Sequence, residues 1–250
     1  MVNVMKLEKE ITDIDYIKTK KFFDNRSEKY TNENPYSVTM YQDNNKELVK
    51  ERNKKELEKL LPFLKINDNS KVLDIACGIG RWADALPDSI KEYCGIDFSK
   101  KLIDIANKRN KKENYYFFEG RADSIDEVLT QNKNKNKYNV SLIIGILMYL
   151  NDVDLDKTLN QIEKRSEQKS IICIREPIGI KSRLTLKDFY SDELNDQYNA
   201  IYRTREELLK FFDKTLLKNG FKIIDEGCLF SNNNLNNRKE TEQYYFILER

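Results

Sequence analysis

The sequence predicts an α/β fold: a seven-stranded, mostly parallel sheet with an antiparallel last strand, helices on both faces and a helical N-terminal extension. Three observations predict it. From residue 71 onward, short apolar runs alternate with amphipathic stretches, and repeated strand-then-helix units require crossover connections and parallel neighbours. The last two apolar runs, residues 221–227 and 243–248, follow each other with no helix between them, so the sheet should end in an antiparallel pair. Residues 1–65 are instead rich in Lys, Glu and Asn, and only a helical apolar spacing emerges late in them.

In that extension, Leu48, Val49, Leu57, Leu60, Leu61 and Leu64 share one helix face, with Pro62 disturbing its end. Residues 71–76 read as the first strand, and 81–86 as a helix stopped by Pro87. Residues 93–97 read as the second strand. Ser99 then caps a helix carrying Leu102, Ile103 and Ala106, with Lys108 and Arg109 in its last turn. Residues 114–119 and 138–145 are the third and fourth strands, separated by a polar link containing NKNKNK. Val153, Leu155, Leu159 and Ile162 mark a further helix before a fifth strand at 170–175. Thr204 and Glu207 form a capping box, and Asn219-Gly220 is the matching stop. The domain expectation is an extension or lid over 1–65 and a catalytic domain over 66–250. The stretch 177–203, too long for an ordinary connection, is an acceptor-side insertion.

Composition narrows the function. The 250 residues carry 44 Lys+Arg and 42 Asp+Glu, a net charge of +2, which argues against a protein that lives by attraction to polyanions. There is no histidine, which removes imidazole triads, His-ligated metal sites and imidazole proton shuttles. Cys77, Cys94, Cys173 and Cys228 are scattered without CxxC spacing, so a structural zinc or disulfide framework is not expected. The N-terminus carries charges throughout, and the longest apolar run, 141–150, is half of the roughly 20 residues a span needs. A cytoplasmic protein with no membrane and no nucleic acid partner is expected. The NKNKNK link lacks interleaved aromatics and reads as a solvated loop.

The chemistry starts where the first strand ends. Ala76-Cys77-Gly78-Ile79-Gly80 is a glycine turn between a strand and an expected helix, where backbone can approach a ligand closely. The second strand ends in Asp97, about 20 residues later, where a carboxylate can accept from both hydroxyls of a ribose. The other reading of Asp97 is a helix-capping turn. Phe98 can lie against an adenine face, and Ala122 and Asp123 stand where an adenine edge would arrive.

VLDIACGIG, GIDFS, EGRAD and GILMYLND, in this order, resemble the successive signatures of class I S-adenosylmethionine-dependent methyltransferases over roughly residues 70–176. The resemblance implies a Rossmann-like sheet, S-adenosylmethionine as cofactor and S-adenosylhomocysteine as its product. It puts Ala76 and Gly78 against the methionine part, Asp97 on the ribose, Phe98 on the adenine, Ala122 and Asp123 at the adenine edge and Gly145 beside the sulfonium. Two departures stand out: Ala76 replaces the family's usual glycine, and Arg121 stands where many members carry Asp. A nicotinamide-dependent oxidoreductase is the competing reading, because Gly78-x-Gly80-x-x-Ala83 followed by Asp97 also fits a dinucleotide fingerprint. A cofactor-binding module without catalysis is a third.

The first expectation for the acceptor is a small molecule, the hydroxyl of a sugar or nucleotide-activated sugar; an amino sugar or other small amine is the alternative. A hydroxyl needs a base, and without histidine Glu176 is the first candidate and Tyr149 the second. Tyr36, Arg183, Tyr198, Tyr202 and Arg203 are the expected acceptor contacts, with Tyr30 and Tyr41 as further aromatics in the extension. No metal is expected. The DNA-methylating signatures, Pro-Pro-Tyr or Pro-Cys after the fourth strand, do not occur in GILMYLND.

Overall fold

The computed structural model describes residues 5–231 and 233–250. Its elements are β1 (Met5–Glu8), α1 (Tyr16–Glu28), α2 (Ser37–Met40), α3 (Lys46–Leu60), β2 (Lys71–Ile75), β3 (Glu92–Asp97), α4 (Lys100–Arg109), β4 (Tyr115–Glu119) and α5 (Ile125–Gln131). They continue with β5 (Tyr138–Ile144), α6 (Asp152–Arg165), β6 (Ser166–Gly179), β7 (Leu184–Ser191), β8 (Asp196–Tyr202), α7 (Arg205–Lys214), β9 (Lys222–Cys228) and β10 (Thr241–Glu249).

The seven apolar runs pair in the order β4-β3-β2-β5-β6-β10-β9. The first five strands are parallel, and β10 is antiparallel to both β6 and β9. The last strand is therefore not the edge: β10 is buried between neighbours, and the partly exposed β9 closes the sheet. Side-chain alternation divides the core. Leu73, Ile75, Ile143 and Ile174 pack on one face with Leu159, Ile162 and Phe212 of α6 and α7. Val72, Val140, Leu142 and Cys173 pack on the other with Leu60, Ile103 and Ala106 of α3 and α4. The predicted caps are present: Ser99 accepts from the Leu102 N–H, and Thr204 and Glu207 form a reciprocal capping box.

Several expectations are corrected. Residues 81–86 do not form an α-helix; turns lead to one 3-10 turn, Ala83–Ala85, because Pro87 leaves too little chain to sustain helical bonds and Arg81 and Trp82 are drawn to Glu56 on α3. The glycine turn is thus not followed by a helix dipole. The stretch 177–203 is mostly strand: β6 runs on to Gly179, and β7 and β8 pair antiparallel as a hairpin whose register shifts between Leu186 and Phe189. β1 adds to β7 as a third strand, joining the N-terminal extension to that hairpin. α1 and α5 went unmarked by apolar spacing, α1 because it is mostly polar and starts on the Asp15 cap. Among the described residues, no helix is long and apolar enough to cross a membrane.

The order places the chain reversal between β2 and β5. Their carboxyl-end loops, with those of β3, β4 and β6, open on one side, where open α/β sheets bind ligands. Gly95, in the middle of β3, keeps this layer thin: an added Cβ would stand 2.7 Å from Cys77 Sγ and 2.9 Å from Phe117 Cδ1. Gly95→Ala is expected to cost about 1–3 kcal/mol in thermal or urea unfolding. Cys77→Ala should recover part of that loss in the double variant; simple additivity would refute the contact.

Candidate active site

The loops at the carboxyl ends of the parallel strands line one cavity, with roughly 1560 Å³ of atom-free space including its mouth. One half is built by the ends of β2, β3 and β4: Ala76, Gly78, Asp97, Phe98, Ala122 and Asp123. The other half is built by β6, the β7–β8 hairpin, the approach to β10 and the N-terminal helices: Arg175, Tyr198, Tyr202, Arg238, Tyr41 and Arg52. Gly145 lies between the halves.

In the first half the backbone is bent by necessity. Ala76 and Gly78 have φ of +60° and +56°, a region costly for a residue with a Cβ, so Ala76 carries a small strain that a glycine would not. Asp97 is buried, and its Oδ2 accepts from the Gly78 N–H at 3.0 Å while Oδ1 accepts from the Ser99 N–H at 2.9 Å. Burial raises its pKa to about 6, with the two backbone donors acting against the rise. Each oxygen keeps a further lone pair for a ligand. Phe98 stands edge-on to Phe23 of α1, 5.8 Å between centroids. Asp123 is not free: Arg121 holds it through Nε and Nη2 at 2.8 and 2.9 Å.

The second half departs further from the sequence reading. Glu176 is only 1% exposed and is absent from the cavity wall. Its carboxylate accepts from the backbone N–H groups of Ile146 at 2.7 Å, Leu147 at 2.8 Å and Met148 at 3.3 Å. Strand alternation explains this: Arg175 and Pro177 line the cavity, so Glu176 between them faces away. Burial raises its pKa to about 7 against those three donors, a value suited to a base, but the geometry denies it the role. Arg203 works from the other side of the same loop, donating to the carbonyls of Leu147 and Leu150 at 2.8 and 2.7 Å and pairing with Asp152. Arg183 pairs with Asp152 and Glu207.

Neither arginine is a wall residue, and Tyr36 is not one either; its hydroxyl donates to Asp84 at 2.8 Å. Of the expected acceptor contacts, the structure brings only Tyr198 and Tyr202 to the cavity. Tyr149 is there too, hydrogen-bonded to Tyr41 and set edge-on to Phe23 at 5.1 Å. Burial drives its phenol pKa well above the ordinary value, so it keeps its proton.

Sequence reasoning missed the charged groups of this half. Glu56 on α3 pairs with Arg81 and Arg175 and accepts from the Trp82 indole N–H at 3.2 Å. Those two guanidinium groups hold its carboxyl below the usual range despite full burial. Arg175 also donates to Gln243 at 3.2 Å, and Arg238 donates to the Tyr198 hydroxyl at 2.9 Å. The available signal was the i, i+4 spacing of Arg52 and Glu56 on a face expected to be buried.

Residues 66–216 match a family described as a methyltransferase domain. A phosphoethanolamine N-methyltransferase of Plasmodium falciparum is 24% identical over 204 residues, covering 68% of this chain and 75% of that protein. The structure of phosphoethanolamine N-methyltransferase 1 from Haemonchus contortus, with phosphoethanolamine and S-adenosylhomocysteine, superposes with a TM-score of 0.67 at 16% identity. That match covers 92% of this chain and 48% of the Haemonchus one, about half its length. Magnesium protoporphyrin IX methyltransferase from Synechocystis, solved with S-adenosylmethionine, gives 0.58 at 13% identity and covers 94% of both chains.

The clamp on residues 146–150 predicts the behaviour of Glu176. Glu176→Gln turns one acceptor oxygen into an NH2 facing a backbone donor and should cost about 1–3 kcal/mol, several degrees in Tm. Unchanged Tm with a collapsed turnover rate would restore Glu176 as the base.

Proposed function

This chain belongs to the methyltransferase-domain family, class I and S-adenosylmethionine-dependent, and from that premise we propose that it methylates a small molecule, an amine in preference to a sugar hydroxyl. The observation that carries the preference is the composition of the acceptor half. Among the described residues, it offers mainly phenols and arginines, and its two carboxylates, Glu56 and Glu193, already have protein partners. Glu56 is bound to two arginines, and Glu193 accepts from the Gln42 N–H at 2.7 Å. The raised phenol of Tyr149 cannot take a proton.

The residues fit the cofactor. Asp97 would accept the ribose hydroxyls through its remaining lone pairs, Phe98 would cover the adenine, and Ala76, Gly78 and Gly145 would let backbone approach the methionine part. Asp123 would meet the adenine edge with a carboxylate already paired to Arg121, which accounts for the Arg at position 121. Ala122 would frame that edge. When bound, S-adenosylmethionine supplies a methyl group already activated on sulfur, so the chain's task is alignment and exclusion of water.

A neutral amine needs only an exposed lone pair. The guanidinium groups of Arg52, Arg175 and Arg238 disfavour its protonated form. Tyr149, Tyr198 and Tyr202 would orient it, and α1 with the β7–β8 hairpin would act as the lid. The phosphoethanolamine methyltransferases found by sequence and by structure support an amine acceptor. A sugar or nucleotide-sugar hydroxyl is the second reading, favoured by the aromatic platform of Tyr41, Tyr198 and Tyr202.

Asp97→Asn should weaken S-adenosylhomocysteine binding about 10- to 100-fold in calorimetry, the loss expected for hydrogen bonds to a charged acceptor. In the wild type, affinity should rise as pH goes from 5 to 7, because the ionised form accepts the hydroxyls and the carboxyl titrates near 6. The Asn variant should show no such rise. Labelled-methyl transfer to a panel of amines, sugars and nucleotide sugars should label amines, increasingly at higher pH. Labelled sugars with inert amines would reverse the preference, and binding of NAD without S-adenosylhomocysteine would overturn the whole reading.

A further inference from the structure

Arg52 sits one helical turn before Glu56 on α3, and the two residues reach the same cavity with opposite outcomes. Glu56 has three partners. Arg52 is 4% exposed, and its Nε and Nη1 have no hydrogen-bond partner among the described residues. Burial works against its charge, and Arg175 nearby repels it; Glu193, also on the cavity wall, attracts it without forming an ion pair. Arg175, itself committed through Nη1 and Nη2, also leaves its Nε unpartnered. A buried guanidinium with unmet donors is costly and calls for a partner, whether ordered water, an ion or a ligand.

We propose that Arg52, backed by Arg175, is the anion-binding subsite of the acceptor pocket and takes a phosphate or carboxylate carried by the molecule that is methylated. This deepens, and rests on, the small-molecule methyltransferase reading. An always-charged guanidinium with unmet donors at Nε and Nη1 suits charge-assisted contacts to such oxygens. The cofactor's own carboxylate is the other source of the same chemistry. The surroundings favour the acceptor: the charged groups acting on Arg52, Arg175 and Glu193, lie on β6 and the hairpin, not at the Ala76–Gly78 turn after β2 where the methionine part is expected.

Calorimetry with inorganic phosphate, run with and without S-adenosylhomocysteine, tests the subsite. Wild-type protein should bind phosphate, Arg52→Met should weaken it by about tenfold or more, and Arg52→Lys should retain part of it. S-adenosylhomocysteine affinity should change by less than about twofold in both variants. The ligand-free Arg52→Met protein should melt at a higher temperature than wild type, because a buried, unpaired cation has been removed; a structural arginine would lower it. In methyl transfer, phosphoethanolamine should have a KM about tenfold or more below that of ethanolamine, and Arg52→Met should erase the gap. Phosphate binding that ignores the substitution overturns the proposal, as does loss confined to S-adenosylhomocysteine or a lowered melting temperature. Failure of the methyltransferase reading shows separately, as wild-type protein that binds no S-adenosylhomocysteine while the phosphate titration still scores Arg52.

Discussion

Residues 146–150 follow β5 at the meeting point of the two cavity halves, and their peptide groups are held by a pair of buried opposite charges. Glu176 takes three N–H groups of this loop, and Arg203 takes two of its carbonyls. An exposed loop would leave such groups to water; here they are buried and need protein partners. Asp152, at the start of α6, neutralises Arg203 and Arg183 and so ties β8 and the hairpin to the same point. The placement of Tyr149, the reach of the hairpin over the cavity and the position of Gly145 all depend on this clamp. Removing any member strands a charge in low dielectric, which makes the arrangement cooperative.

α3 applies the same physics more unevenly. Glu56 gathers Arg81, Trp82 and Arg175, replacing by tertiary contacts the helix that would otherwise stiffen the glycine turn. One turn away, Arg52 receives no such satisfaction. The first residue is spent on structure. The second leaves a buried positive charge on the cavity wall of a protein whose net charge is nearly neutral.

Much of the fold was legible from local rules. The caps at Ser99 and Thr204 and the apolar runs of β2 to β5 needed only neighbouring residues to be understood, whereas Gly220 does not stop α7, which ends at Lys214, but closes a separate 3-10 turn. One half of the cavity was legible for the same reason: Ala76, Gly78, Asp97 and Phe98 line it from strand ends whose positions follow from the strands. Glu176 was misjudged because proximity to a strand end says nothing of which face a side chain takes; a shift of one residue along β6 exchanges the cavity for the loop behind it. Tyr36, Arg183 and Arg203 were misjudged because their partners, Asp84 and Asp152, are remote in sequence.

The sequence by itself determined the class of fold, the strands of the main sheet and the residues at the ends of β2 and β3, because hydrophobic periodicity, caps and glycine turns act over a few residues. Only the tertiary structure decided which charges are committed to one another and which face the pocket. That division depends on pairings such as Glu56 with Arg175 and Asp152 with Arg203, made across more than fifty residues of chain and resolved by burial. The missing histidine was evident from composition alone. That Arg175 and Pro177, rather than Glu176, line the cavity was decided by the packing of β6.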